Sequence, residues 1–505
     1  MSVNLSPPRA KLVPGPGPGP GRRVRVGAVL VCGYAVAIAC AFVVAPGRVP
    51  ELLIAGPIAA VIVVAGLRSP IVATALLLVT SFLRLALPNV LFDPFVFAFA
   101  GVLASAGIWA VARGRNLPAL GLLEFFMLAY VLWNVASMIA PHQYPATTPV
   151  SPDTDFSVPR YIFSGTVMPF AMFLVGRRIL VSPGHVRAVL WMVLGAAGYS
   201  ALVSILQFHG PPSWVWPQYI ITAPNWAGRA VGVFNQPVVN GLVLILGFVT
   251  GVMLTQDPRA RTAERWAAGL VAVACAYGVY LTHTRAVWLA FAVIVVLGAV
   301  FAARVRRGFL LTAAVMVCAV AMNWSTFLSS DRKAGGVGSP DEVEDRLNTI
   351  ATATWAVGQK PWFGWGVGRF AAVNTYNHQQ FSPSVSWSRG YGIPSHLNDL
   401  GILAELGVFG LVMWLSIIVL IAIMLVRAWR VSRGAELNQH RLVLIAVAAF
   451  ASQMIVGLTV DLRFFVFPSI VVFLLAGLAV GISDRLRTGC AVNRLRGSSA
   501  AEAVR

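Results

Sequence analysis

Residues 237–255 read PVVNGLVLILGFVTGVMLT, a run of 19 residues without one charged side chain. At about 1.5 Å per residue a helix of that length covers roughly 28 Å, enough to cross a hydrocarbon core of about 30 Å. Inside a bilayer every backbone polar group must be paired internally, and an unbroken apolar run does this as a helix. Runs of the same kind precede it at 26–45, 51–67, 70–87, 91–112, 118–140, 161–180 and 187–207. Others follow at 266–282, 286–303, 308–326, 401–426, 441–459 and 464–482. The expected fold is an all-α polytopic membrane protein. It is a bundle of about 14 transmembrane helices, within a range of 12–14, with one large external loop containing short helices.

Composition agrees with that reading. Hydrophobic residues make up 58% of the 505 and charged residues 11%, against about 25% charged in soluble domains. A net charge of +20 would point a soluble protein toward nucleic acid, but here the arginines punctuate the apolar runs and form no single patch. Membrane lipids are therefore expected as partners, and nucleic acid is not. Placing the N-terminus in the cytoplasm puts Arg22, Arg23, Arg25, Arg113, Arg115, Arg177, Arg178, Arg304, Arg306, Arg307, Arg427, Arg430 and Arg433 all inside. That is the bias of the positive-inside rule, and a shift of one helix reverses it. Both termini are expected in the cytoplasm of a multi-pass cell-membrane protein. The cysteines at 32, 40, 275, 318 and 490 fall in apolar spans or the inner tail, so no external disulfide framework is available. The first run is longer than a signal-peptide core, and 26–45 is read as a retained helix.

The spans divide the chain. Residues 1–25, with alternating Pro and Gly from Gly15 to Gly21, form a tail that cannot build a core. Eleven helices follow within 26–326, then a large extracytoplasmic loop at 327–400, three helices within 401–483, and a basic tail at 484–505 suited to anionic headgroups. Shorter external loops fall at 141–160 and 208–236. Long loops tend to carry function. In the largest, Ser339-Pro340-Asp341-Glu342 is a capping box with Pro at the first helical position, predicting a helix that ends near Gly358. Val343, Leu347, Ile350, Thr354 and Val357 recur at helical spacing. This stripe is expected to face the bundle, with Arg346 at its flank.

Two further residues stand out chemically. Arg285 lies between apolar runs at the external surface, against the charge bias, and junctional charge of that kind is usually functional. His396 precedes the helix that runs through Glu405, and an imidazole is the side chain suited to general-base work near neutral pH. Gly364, Gly366 and Gly368 follow no strand and have the wrong spacing for a dinucleotide fingerprint, so a tight turn is expected. Asp153-Thr-Asp155 has the spacing of a metal-held nucleotide-sugar site, but a solvated loop is the better reading. No zinc spacing, phosphate-cradling loop or serine nucleophile motif appears, and neither cofactor nor metal is expected.

Taken together, these residues resemble the O-antigen ligase and polymerase superfamily, multi-spanning enzymes that move lipid-linked glycans on the outer membrane face. Thr282-His-Thr-Arg285-Ala is similar to the family's Thr/Ser-Arg-Gly/Ala motif at the head of a helix. Arg346, Trp355, Pro361, Gly364, Gly366, Gly368 and Phe370 resemble its Arg, Trp, Pro-x-x-Gly-x-Gly signature. His396, Leu400, Glu405, Gly407 and Gly410 resemble its histidine-led helix entry, and Arg229 to Pro237 resembles a further pattern. The signature region covers about 270–415. The sequence departs from the family where Leu397 separates His396 from Asn398 and where Asp399 replaces an aromatic. The resemblance implies a polyprenyl-diphosphate-linked glycan donor, a glycan, lipid or protein acceptor, and inverting, metal-independent transfer. Arg285 and Arg346 would hold the diphosphate, and His396 would take the proton of the acceptor hydroxyl. Arg229, Asn398 and Glu405 would contact or orient substrate. A transporter or flippase of a small anion or lipid-linked sugar is the alternative. It calls for ionisable groups deep in the bundle, for which Arg84 and Glu124 are the candidates. A scaffold whose long loop docks a partner leaves the ordered Arg, Arg, His pattern unexplained.

Overall fold

The computed structural model describes residues 64, 66–67, 69–86, 93–112, 121–146, 156–180, 182–223, 226–303, 305–331, 335–338, 340–387, 393–433 and 437–502, with backbone alone for 341, 437–438 and 488–502. The tail at 1–25, the span at 26–45, nearly all of that at 51–67, Cys32, Cys40 and the Asp153–Asp155 pair lie outside the described residues.

Every regular element among the described residues is helical. In chain order they are α1 (Pro70–Phe82), α2 (Pro94–Ala112), α3 (Leu122–Ile139), α4 (Val158–Arg178), α5 (Pro183–His209), α6 (Pro237–Leu254) and α7 (Thr262–Leu281). There follow α8 (Arg285–Phe301), α9 (Arg306–Met322), α10 (Asp341–Gln359), α11 (Phe370–Tyr376), α12 (Asn398–Ser432), α13 (Leu437–Gly457) and α14 (Val466–Glu502). Among the described residues eight helices are long and apolar enough to cross a membrane, namely α2 to α6 and α12 to α14. The apolar helices α1 and α8 are shorter. The expected spans at 266–282 and 308–326 are the helices α7 and α9. Helix α7 stays outside the eight because Glu264, Arg265, Tyr277 and Tyr280 lower its hydropathy, and α9 because it is only 17 residues long and begins with Arg306 and Arg307.

Helices that are apolar all round belong inside a bundle, and α6 and the first 22 residues of α14 are each buried over 94% of the spanning window. Around them α3 and α12 show Phe125, Leu128, Leu132, Val412, Val419 and Val426 to the outside. An apolar belt of that extent is untenable in water and is what a bilayer solvates. The chain is a multi-pass membrane protein. The tightest pairing is α4 against α14, where an added Cβ at Gly176 or Gly477 would come within 2.6 or 2.1 Å of the partner's backbone, the close approach that small residues permit between membrane helices.

Charge is gathered at the helix ends. Glu124, at the start of α3, accepts from Arg177 and Arg178 at the end of α4, at 2.8 Å each. Arg187 in α5 reaches Asp257 at 2.9 Å and Glu264 at 2.7 Å, beyond the end of α6 and at the start of α7. Arg84 lies in a turn just past α1, over the Phe95 ring. The starts of α6, α8, α10 and α12 lie at the end opposite these ion pairs, the end at which Arg84 also lies, beside the turn at 232–234.

Candidate functional site

At that opposite end a cavity of about 60 Å³ is lined by Trp226, Arg229, Gln236, Pro237, Val238, Thr284, Arg285, Glu342, Asp345, Arg346, His396, Thr459 and Val460. These residues come from the N-terminal ends of α6, α8, α10 and α12, from the turn after α13 and, for Trp226 and Arg229, from the loop before α6. A helix N-terminus carries about half a positive charge on its unpaired amides and favours anions. Four such ends meet here.

Arg285 is placed by a turn that the sequence builds locally. Helix α7 closes with Thr282 Oγ1 donating to Val279 O at 2.7 Å, His283 takes a left-handed φ of +44°, and Thr284 precedes the first residue of α8, Arg285. The turn is tied to the segment before α6. The Ala230 amide donates to Leu281 O at 2.9 Å, and His283 Nδ1 lies 2.9 Å from Gly228 O. Arg229 thereby enters the same cavity from a different loop. Asn240 in α6 anchors that loop from within, donating to Ala230 O at 3.0 Å and to Ser204 at 2.9 Å while accepting from Ser200 at 2.6 Å. The Arg229 guanidinium stands over the Trp226 ring and is paired with Glu342.

Arg346 comes from α10, which begins at Asp341 and ends at Gln359, close to the expected bounds. The face it buries differs from the expected stripe. Val343 is 43% exposed, and Thr354 is exposed as well, whereas Asp345, Asn348, Thr349, Thr352, Ala353 and Ala356 are buried. Hydrogen bonding outweighs hydropathy here, because this helix packs against loop backbone. Asn348 Oδ1 accepts from Phe381 N at 2.8 Å and Thr352 Oγ1 from Gln379 N at 2.8 Å. Pairing with backbone offsets the desolvation cost of these buried side chains, and their small size allows close packing. Arg346 and Asp345 emerge at the edge of that face into the cavity.

His396 follows Ser395, whose hydroxyl donates to Leu397 O at 2.8 Å and accepts from Leu397 N at 3.3 Å. The segment is held from α11 by Asn374 Nδ2 donating to Ile393 O at 3.2 Å. Two residues later α12 begins.

The remaining named residues lie elsewhere. Asn398 donates to Asp399 at 3.1 Å, and Asp399 also accepts from Trp414 Nε1 at 2.9 Å; neither lines the cavity. Glu405 is buried two residues before a break in α12 at Gly407, whose φ of +68° and ψ of −172° interrupt the helix. A break exposes carbonyls that lack helical partners, and the glycine-rich turn supplies them. Trp365 N donates to Ala404 O at 3.0 Å and Gly366 N to Glu405 O at 2.8 Å. Trp133 Nε1 donates to Leu406 O at 3.0 Å, and Val408 N to Pro361 O at 2.8 Å. Glu405 Oε2 accepts from Arg463 at 2.9 Å, and Arg463 also binds Asp461 at 2.5 Å, both in the turn after α13. Glu405 Oε1 accepts from Phe370 N at 3.3 Å. Glycines 364, 366 and 368 all have positive φ, so the tight turn is there, and it serves as the clasp of a broken helix.

Of the tryptophans at 214, 216, 226, 362, 365 and 387, in the stretches 208–236 and 327–400, Trp226 lines the cavity. Trp365 is buried between the Tyr144 and Trp355 rings, with centroids at 5.8 and 5.7 Å. Glu342 and Asp345 are cavity residues that the sequence reading passed over. Their signal was Glu342 four residues before Arg346, a spacing that puts an acid and a base on one helix face. The capping motif had already accounted for Glu342.

Chemically the cavity offers three guanidinium groups, two carboxylates, an imidazole and four helix N-termini. No curated protein matches the chain. The family comparison does return a match, to the family described as O-Antigen ligase, over residues 270–415. That stretch contains Arg285, Arg346, His396 and Glu405, with Arg229 outside it. Over residues 270–415 the chain is therefore similar to the O-antigen ligases, and its resemblance to the O-antigen ligase and polymerase superfamily, a family of glycan-transferring membrane enzymes, stands on that stretch.

Proposed function

We propose that this protein is a glycosyltransferase of the O-antigen ligase and polymerase type, acting in cell-envelope polysaccharide biosynthesis at the extracytoplasmic membrane face. The donor is an oligo- or polysaccharide on a polyprenyl diphosphate, and the acceptor is a hydroxyl on a second glycan, a lipid or a protein. The observation that carries the reading is the meeting of Arg229, Arg285, Arg346 and His396 at one cavity where four helices begin.

Transfer breaks the bond between the anomeric carbon and the diphosphate oxygen, so negative charge grows on the leaving group. Arg285 and Arg346 neutralise that charge with planar donor pairs, which bind phosphate oxygens bidentately, and the helix ends add fixed partial charge. His396 accepts the proton of the acceptor hydroxyl as it attacks from the far side, which inverts the anomeric centre. In this account arginines carry the role that a metal ion has elsewhere. Arg229 bears on the donor next to the diphosphate, with Glu342 as its resting partner. Asn398 and Glu405 act through the N-terminal part of α12 that carries His396. The reading keeps about fourteen spans, cytoplasmic termini and a catalytic loop at 327–400.

The test is transfer of a lipid-linked glycan by membranes carrying Arg285→Ala or Arg346→Ala. Loss of about 100-fold or more in rate is expected for each, the scale of removing one preorganised charge-stabilising donor. The lysine variants recover only part of it, because a point charge lacks the guanidinium fork. Full activity in either alanine variant removes that arginine from the mechanism.

A further inference from the structure

A second basic pocket lies at the other end of the same helices. It measures about 300 Å³ and is walled by Val186, Leu190, Met253, Leu254, Ile445 and Ile482, with Arg187, Arg259, Arg441 and Arg485 around it and Asp257 the one carboxylate among the lining residues. Helices α6 and α13 connect the two places. The 18 residues of α6 begin at Pro237 in the candidate site and end at Leu254 in this pocket, while α13 begins beside Gln439 and Arg441 and ends just before Thr459. At about 1.5 Å per residue α6 alone separates them by roughly 27 Å, the full depth of a hydrocarbon core. The pocket therefore sits at the opposite membrane surface.

Three features define what fits it. Arg187 is paired with Asp257 and Glu264, and Arg259, Arg441 and Arg485 bring three further positive charges to the lining, which calls for an anion. The carboxamide oxygen of Gln439 in the lining is buried with no hydrogen-bond partner among the described residues, a cost that a bound hydroxyl or water removes. A second, almost wholly apolar groove of about 220 Å³ meets the pocket at Met253 and runs between Val249, Ile294, Phe301, Trp429 and Val447. That groove continues from the charged rim toward the interior, since Val249 lies one turn deeper in α6 than Met253. A basic mouth joined to an apolar groove matches an amphiphile with an anionic head.

We propose that this pocket binds an anionic phospholipid of the leaflet opposite the candidate site, with the phosphate held by Arg259, Arg441 and Arg485 and one acyl chain in the groove past Met253. The lipid would fill the space between the inner ends of α5, α6, α13 and α14 and so brace the helices that carry the outer cavity. Basic pockets between membrane helices recognise headgroups through the same phosphate chemistry.

The experiment is native mass spectrometry of the full chain in detergent, titrated with phosphatidylglycerol, phosphatidylcholine or inorganic phosphate. The wild type is expected to retain phosphatidylglycerol in preference to phosphatidylcholine. The double variant Arg259→Ala, Arg485→Ala, both at exposed positions, is expected to bind phosphatidylglycerol about 25-fold more weakly, from roughly fivefold per arginine near an anionic surface. The corresponding double lysine variant retains most of the binding and shows that the fold is intact. Equal retention of phosphatidylglycerol by wild type and double alanine variant overturns the proposal. So does saturation by inorganic phosphate that displaces the lipid, which would make this a site for a soluble anion.

Discussion

His142 illustrates how closely the loops at the candidate-site end are fitted. Its Nε2 lies 2.5 Å from Ser137 O, and its ring fills the place where a side chain on Gly366 would stand. Burial is the main cause that pushes its pKa below the ordinary histidine value, with the positive Arg369 and Lys360 nearby acting the same way. The folded state thus binds a proton less readily than the unfolded chain, so stability is full above the ordinary histidine value near 6.5 and falls as pH drops through the depressed folded value. Thermal unfolding of the purified protein should occur at lower temperature at pH 5 than at pH 7.5, and His142→Gln should reduce that difference. An unchanged pH dependence in the variant would assign it to other groups. The catalytic proposal makes a separate demand at this scale. Arg285 and Arg346 reach the cavity from helices whose starts are 56 residues apart in the chain, yet both line the same cavity as Arg229 and its partner Glu342. Such neighbours were not legible in the sequence, because no spacing rule relates residue 229 to residue 342.

At the level of elements, α12 is the part on which the site depends, since His396 stands two residues before its start. The helix itself was legible as an apolar run, and its break was not, because a glycine within such a run ordinarily costs only about 1 kcal/mol and leaves the helix intact. Only the partners reveal the break: the turn at 361–366 that satisfies its backbone, and the buried Arg463 with Asp461 that holds Glu405 across 58 residues. Gly366→Ala tests the clasp directly. A Cβ there would stand 2.4 Å from the His142 ring with the backbone at φ +105°, and both strain and clash oppose it. A loss of roughly 1–3 kcal/mol is expected from the backbone conformation alone, seen as a lower unfolding temperature and as reduced transfer. The double variant Gly366→Ala, His142→Ala should recover only the part due to the clash. The face of α10 carries the complementary lesson. Its apolar stripe was visible, but Asn348 and Thr352 are paired with loop backbone 27 or more residues away, and hydropathy periodicity contains no trace of such partners.

Taken as a whole, the molecule separates its charge between two ends. At one end Glu124, Asp257 and Glu264 are paired with arginines; at the other lies the candidate site. Arg84 and Glu124, which a transport pathway would require deep in the bundle, are both at helix ends, and this favours chemistry at one surface over passage through the middle. The proposed orientation has a simple check. A cysteine at exposed Ser384 in the long loop should react with a membrane-impermeant maleimide on intact cells, and one at exposed Gln256, beyond the end of α6, should react only after permeabilisation. The reverse pattern would place the candidate site in the cytoplasm. Fold class was open to reading because the hydrocarbon core imposes its length on each helix. The order in which helices pack was not, since a lipid-facing and a buried helix are equally apolar and differ here mainly by features such as Gly176 and Gly477.

On the proposed function, this chain transfers a lipid-linked glycan with His396 as the base. The most direct measurement is the size profile of polyprenyl-linked saccharides in host membranes lacking the protein, complemented with wild type or His396→Ala at equal membrane levels. Wild type is expected to clear the lipid-linked material and His396→Ala to leave it accumulated, as single repeat units if the protein joins units or as long chains if it hands on a finished polymer. A profile that deletion does not change, or that His396→Ala restores as fully as wild type, would contradict the account.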